Sequence, residues 1–250
     1  MLEKLSKLVV VASFLSVAAP ASAIVINSPV SHVNLSGTDA LETGPNAQIS
    51  FINLYDQSTF DHNGGDVSFS YLYNQSRETV RAAQSWLHSY DQSNVIIGNG
   101  AEMSWLVMHG NSAATMTGGA LAIAVIGDSA RALFDFSTGG SLSSLRFADI
   151  GGRVTVRGYN LVATSSSIDG QHGDGTVFSM SMTFSPCTWD IGCYPDTIDL
   201  GNFAGLQLDN LGSLPIVGGV PDTSTWSLLL VGFGLVGGVV RRQRRVGLTA

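Results

Sequence analysis

A chain of 250 residues with 19 acids, 12 basic residues and a net charge of −7 is not built to embrace nucleic acid or an anionic membrane surface. Twenty-nine glycines and only 12% charged residues also speak against a helical domain, which carries more Glu, Lys and Arg. Residues 24–211 form one body, enough for one domain with a substantial core. Between Ile24 and Val220 six arginines face seventeen acids, a net charge of −11, because every lysine precedes Leu8.

The first 23 residues form an export signal. Lys4 and Lys7 precede the apolar run Leu8 to Ala19, and Ala21-Ser22-Ala23 offers the small-x-small site for signal peptidase. Cleavage there starts the mature chain at Ile24. Gly44-Pro45-Asn46 marks a turn, and Gln48 to Tyr55 reads as a strand. Val67 to Tyr73 alternates large and small residues at period two, as a half-buried strand does. Arg77 to Tyr90 reads as one short helix, since Val80, Ala83, Trp86, Leu87 and Tyr90 recur at helical spacing behind Ser76 as cap.

Strand-like runs return at Val95–Ile97, Ser104–His109, Leu121–Ile126, Ala132–Phe136, Ser144–Phe147, Arg153–Arg157 and Thr176–Phe184, punctuated by Gly-Gly pairs. Many short strands with glycine turns predict a mainly β, antiparallel β-sandwich of jelly-roll type. Phe203 to Leu211 is similar to the closing strand of such exported jelly-roll-like proteins. Cys187 and Cys193 lie in the exported body, where such a pair predicts a disulfide stapling a small loop.

After a linker at 212–220, residues 221–245 place a Pro-led hinge, an apolar run from Trp226 to Val240 and a basic cluster in that order. The run predicts a short membrane helix, and Arg241, Arg242, Arg244 and Arg245 hold its end inside. Pro221-Asp222-Thr223-Ser224-Thr225-Trp226, the Gly232-Phe233-Gly234 within the run and the arginines resemble the PEP-CTERM sorting signal of Gram-negative bacteria. Asp222, Thr223 and Ser227 stand where that signal has Glu, Pro and Ala. The resemblance implies a substrate of an exosortase-like membrane peptidase, held briefly in the inner membrane and then passed to the cell surface or extracellular matrix. A plain C-terminal membrane anchor is the alternative.

Three constellations in the body invite chemistry. Gly127-Asp128-Ser129 after an apolar run, with Asp169 and His172 in Asp-x-x-His spacing, resembles the nucleophile and acid–base blocks of GDSL esterases. The family's Gly-x-Asn-Asp block and crossover helices are missing between them. Asp61, Asn63 and Asp66, and separately Asp169 and Asp174, space oxygen ligands as calcium loops do, although Asp, Asn and Gly are also ordinary turn residues. No cofactor or metal is otherwise implied. Tyr71, Tyr73, Trp86, Trp105, Tyr159, Trp189 and Tyr194 are the aromatics from which a sugar platform could be made, with Trp189 and Tyr194 flanking the cysteine loop as the favoured pair. The leading expectation is a non-enzymatic exported protein with a structural, adhesive or polysaccharide-binding role; a secreted hydrolase is the competitor.

Overall fold

In the computed structural model, residues 23–184, 187–188, 192–193 and 203–214 are described. All the strands lie within the unit Met1–Leu211; a second unit begins at Gly212. The chain winds as a parallel β-solenoid of about seven turns, each coil giving one short and one long strand. In chain order these are β1 (Ile24–Ile26) and β2 (Pro29–Leu35), β3 (Ala40–Thr43) and β4 (Gln48–Leu54), and β5 (Thr59–His62) and β6 (Asp66–Leu72). Next come β7 (Arg77–Val80) and β8 (Ala83–Ser89), β9 (Asn94–Ile97) and β10 (Glu102–Met108), and β11 (Ala113–Met116) and β12 (Ala120–Ile126). The last coils hold β13 (Arg131–Asp135), β14 (Ser141–Phe147), β15 (Arg153–Ala163), β16 (Ser167–Gln171) and β17 (Val177–Phe184). A two-residue hairpin, β18 (Cys187–Thr188) and β19 (Gly192–Cys193), precedes β20 (Leu206–Asn210).

Even-numbered strands from β2 to β14 pair in parallel as one long-strand sheet, and odd-numbered strands from β1 to β15 as a short-strand sheet. Val30, Ile49, Val67, Gln84, Met103, Leu121 and Leu142 stand in one register column at steps of 17 to 21 residues. This corrects the expected antiparallel sandwich. Each short turn joins a strand of one sheet to a strand of the other, so the chain returns one coil further on in the same direction. Among the described residues antiparallel pairing is confined to the end of the body, where β16 joins the second half of β15 to β17 and β18 pairs with β19.

The expected helix at Arg77–Tyr90 is instead β7, a bend at 81–82, and β8. Val80 and Leu87 are fully buried while Trp86 faces outward. The helical spacing of these residues is a by-product of two strands meeting at a corner. Among the described residues no helix is long and apolar enough to cross a membrane, so the expected transmembrane helix has no counterpart there. The signal segment before Ala23 and the sorting segment 221–245 lie outside the described residues.

Between the sheets the core is a set of columns. Ile52, Leu87, Leu106, Ala124 and Leu145 form one; Leu54, Leu72, Met108, Ile126 and Phe147 form another, nearly all with no exposure. Strand Met180 and Met182 point into this core, as their alternation with serines predicts. The corner after each of the first six long strands uses a left-handed residue: Gly37, Asp56, Asn74, Asp91, Gly110 and Asp128 all have φ between 54° and 64°. Asp and Asn tolerate this conformation because their short side chains bond locally. Here each aspartate reaches back one coil: Asp56 accepts from the Gly37 N–H at 3.0 Å, Asp91 from Asn74 at 3.0 Å and Asp128 from Gly110 at 2.9 Å. At the other corner Gly119 has φ +75°, and a Cβ there would sit 2.7 Å from the Gly98 carbonyl oxygen.

Candidate functional site

The long strands share one pattern, in which the second, fifth and seventh residues face the core. The register skips the third residue, so the third and fourth both face outward and the strand bends there. That third residue is Ser31, Ser50, Ser68, Ser85 and Ser104 in successive coils, and the fourth is His32, Phe51, Phe69, Trp86 and Trp105. A repeat of one coil therefore makes an aromatic column beside a hydroxyl column on the outer face.

The rings stack along the solenoid. Ring centroids are 5.0 Å apart for His32–Phe51 and Phe51–Phe69, and 4.7 Å for Trp86–Trp105, whose planes lie within 3°. Arg146 closes the far end, its guanidinium carbon 5.4 Å from the Trp105 ring centroid. A second column at the sixth position holds Asn34, Asn53, Tyr71 and His88; Asn53 Nδ2 donates to Asn34 Oδ1 at 2.8 Å, and the Tyr71 and His88 rings stack at 5.1 Å. A third at the corner stacks Tyr55, Tyr73, Tyr90 and His109 at 5.1 to 5.3 Å. Trp86, His88 and Tyr90 connect the columns across one coil at 6.2 Å.

Ring spacing here is inherited from the spacing of neighbouring strands, about 4.8 Å. Aromatic rings at that separation touch by offset stacking, which leaves a strip of each face and its edge open to solvent. Between Phe69 and Trp86 the column loosens to 6.5 Å and 23°, at the coil with the shortest register step. An open depression of about 410 Å³ lies over this point, lined by Phe69, Tyr71, Trp86, His88 and Tyr90. A second groove of about 460 Å³ runs along the serine column, where Ser31, Ser50, Ser68, Gln48 and Asp66 supply its polar wall.

Three groups of the face, Tyr73, Tyr90 and His88, are shifted toward their neutral forms. Burial, with neighbouring phenols, pushes Tyr73 and Tyr90 above the usual tyrosine range, so both keep hydroxyl protons to donate. Burial first, then the charge of His109, lowers His88 below the usual histidine value. At the edge, His109 Nδ1 lies 3.5 Å from Asp128 Oδ2.

Tyr71, Tyr73, Trp86 and Trp105 thus share one outer face, while Tyr159 lies on β15 and Trp189 and Tyr194, the favoured pair, lie outside the described residues. Sequence reasoning missed Phe51, Phe69, Tyr55 and Tyr90. The signal that finds them is the repeat itself, Ser-aromatic at 50–51, 68–69, 85–86 and 104–105.

The other constellations are not assembled. Ser129 sits at the corner before β13, its N–H bonded to the Gly110 carbonyl, whereas His172 Nδ1 contacts the Phe136 carbonyl oxygen at the far end of that strand. The five residues of β13 separate them by roughly 17 Å at strand rise. Asp169 accepts instead from Ser167 Oγ at 3.3 Å. Asn63 is engaged by Glu42 and Arg81, and Asp174 by the Thr176 amide and hydroxyl, which hold its carboxyl below the usual range. Among the described residues no three His, Cys, Asp or Glu side chains gather around a metal position, and Asp61, Asp66 and Asp169 join no such group. Cys187 stands directly opposite Cys193 in the antiparallel register of β18 and β19; their side chains lie outside the described residues.

Compared with family models, curated proteins and solved structures, the chain finds no match.

Proposed function

We propose that this is an exported, non-enzymatic protein of the cell envelope or extracellular matrix that binds an uncharged polysaccharide along the outer face of its long-strand sheet. The observation that carries the reading is the three-column aromatic face with a depression where the Phe69–Trp86 stack opens. Rings half-covered by one another are held rigid, so a glycan contacts them without ordering cost. Neutral hydroxyls, amides and serines flank the rings, as the hydroxyl-rich edges of a sugar require.

Charge selects among glycans. The body from Ile24 to Val220 has no lysine and eleven more acids than arginines, and Asp66, Asp56 and Asp91 border the face. A uronate polymer meets repulsion there, whereas an uncharged one does not. Export follows from the signal segment, and the PEP-CTERM-like end supplies sorting by an exosortase-like peptidase. Affinity electrophoresis of the exported protein through gels cast with a soluble neutral glucan, a galactomannan or a polyuronate tests the reading. Retardation by a neutral polymer is expected; migration unaffected by every neutral glycan, across a glycan array as well, would remove it.

A further inference from the structure

We propose that the bound glycan is an extended, ribbon-like chain of uncharged β-1,4-linked sugars with equatorial hydroxyls, lying along the solenoid axis with one sugar to each coil. The assignment rests on the glycan-binding reading and adds a direction and a linkage to it. Direction comes from what repeats. Along the axis the Ser-aromatic pair recurs in five successive coils, from Ser31-His32 to Ser104-Trp105, and the aromatic members are direct register partners. The serine groove runs the same way, past Ser31 on β2, Ser50 on β4 and Ser68 on β6. Across one coil nothing recurs: Trp86, His88 and Tyr90 differ in chemistry, stand 6.2 Å apart and stop at the corner. A polymer of identical units gains one more equivalent contact per unit only where the protein itself repeats.

Linkage comes from spacing and cross-section. Neighbouring strands lie about 4.8 Å apart, and the ring centroids follow at 4.7 to 5.0 Å except at the 6.5 Å step, where the depression sits. A straight chain of equatorially linked pyranoses advances by nearly one strand spacing per sugar, so successive sugars keep in step with successive coils. Chains linked α-1,4 or β-1,3 coil instead, and leave a straight column after a short contact. In cross-section the face is an apolar ridge between two polar columns. The stacked rings turn their edges outward, the serine hydroxyls lie on one side, and Asn34, Asn53, Tyr71 and His88 lie on the other. A β-1,4 ribbon has the matching section, with C–H groups on its broad faces and hydroxyls along both edges. Laid flat, it buries apolar surface on the ridge and keeps its hydroxyls paired on the flanks. Neither the serine nor the aromatic column contains an Asp, Glu, Lys or Arg, which suits an uncharged chain. Length is set where the repeat stops. The next coil places Ala122 and Ile123 at these two positions, and Arg146 lies over the Trp105 ring at 5.4 Å. The track is therefore five coils long and holds about five sugars.

Titration calorimetry of the exported protein with β-1,4-glucan oligosaccharides from disaccharide to heptasaccharide, beside α-1,4 and β-1,3 series of the same lengths, tests this. Within the β-1,4 series the pentasaccharide should bind at least about tenfold tighter than the trisaccharide, with little further gain for longer chains. The α-1,4 and β-1,3 pentasaccharides should bind at least about tenfold more weakly than the β-1,4 pentasaccharide. Phe51 lies on the track but does not line the depression. Phe51→Ala should therefore weaken the β-1,4 pentasaccharide about tenfold, with unchanged circular dichroism. Affinity that levels off at the trisaccharide and ignores Phe51→Ala would put the chain across one coil and overturn the proposal. A preference for the α-1,4 or β-1,3 series would overturn it as well, while leaving glycan binding itself in place. Failure of every neutral oligosaccharide and polymer to bind removes both.

Discussion

Ser70 Oγ donates to Glu78 Oε1 across 3.2 Å in the interior of the solenoid, and Gln84 Nε2 donates to Ser70 Oγ at 2.8 Å. Strands β6, β7 and β8 thus share one buried polar knot. Glu78 is fully buried, and desolvation outweighs the Ser70 and Gln84 bonds to push its pKa up to about 8. The folded state therefore holds a proton that the unfolded state releases above its ordinary value of 4.5. Folding stability falls as pH rises through this window, and the loss is complete above about 8. Its size is on the order of a few kcal/mol. Neighbouring His62, which burial lowers, acts oppositely: its contribution is lost as pH falls below 6.5. Glu78→Gln keeps the knot and removes the proton. Denaturant melts of the two proteins should differ little near pH 5 and diverge by pH 8.5, the variant being more stable; parallel profiles would sink the assignment.

The corner column makes a second test. Asp91 has φ 57° and accepts the Asn74 N–H. Asp91→Ala loses that bond and places a Cβ without compensation in the left-handed region, a cost of about 2 kcal/mol. Asp91→Gly loses the bond alone. Urea midpoints should fall in the order wild type, glycine, alanine; an alanine variant as stable as the glycine variant would show that the corner carries no conformational strain.

Much of the solenoid was legible in the sequence, though not through single strands. Tyr55-Asp56-Gln57-Ser58, Tyr73-Asn74-Gln75-Ser76 and Tyr90-Asp91-Gln92-Ser93 are one corner repeated. Strand content survives in any reading, since Ile52 and Leu54 alternate with polar Asn53 whatever their partner. Pairing direction does not: a glycine turn looks the same whether it closes a hairpin or rounds a coil. The aromatic column is hidden strand by strand, because Trp86 at helical spacing from Val80, Ala83, Leu87 and Tyr90 reads as one face of a helix. Only beside Phe69 and Trp105, one coil away on either side, does it become a column.

Buried serines separate geometry from composition. Ser58, Ser76, Ser93 and Ser112 occupy one fully buried column that ends in Ala130. Ser93 Oγ bonds Ser89 Oγ and the Tyr90 carbonyl, both at 2.7 Å, while Ser76 Oγ has no partner among the described residues. Ser93→Ala should cost about 1 kcal/mol and Ser76→Ala nothing, or a small gain. Equal losses in thermal melts would count against this partition.

Cys187 and Cys193 are register partners in an antiparallel pair, whose Cα atoms lie about 4.5 to 5.5 Å apart, within the range a disulfide spans. In the exported protein, alkylation without reductant should leave both thiols unlabelled by intact mass. Two added labels would show a reduced pair.

The ligand face admits the most discriminating variant. Trp86 lies at the loosened step of its column and touches the depression, whereas Tyr159 is a half-buried aromatic on β15 that does not line it. Losing one stacked ring contact costs about 1.4 kcal/mol, a tenfold weakening. Trp86→Ala and Trp105→Ala should therefore lower neutral-glycan affinity about tenfold each, in a retardation assay, with Tyr159→Ala unchanged. Because the proposed contact is between uncharged groups, raising the salt concentration should leave the affinity where it is. Binding that collapses with salt, or that survives both tryptophan variants, would place the glycan on the charged corners and not on the rings.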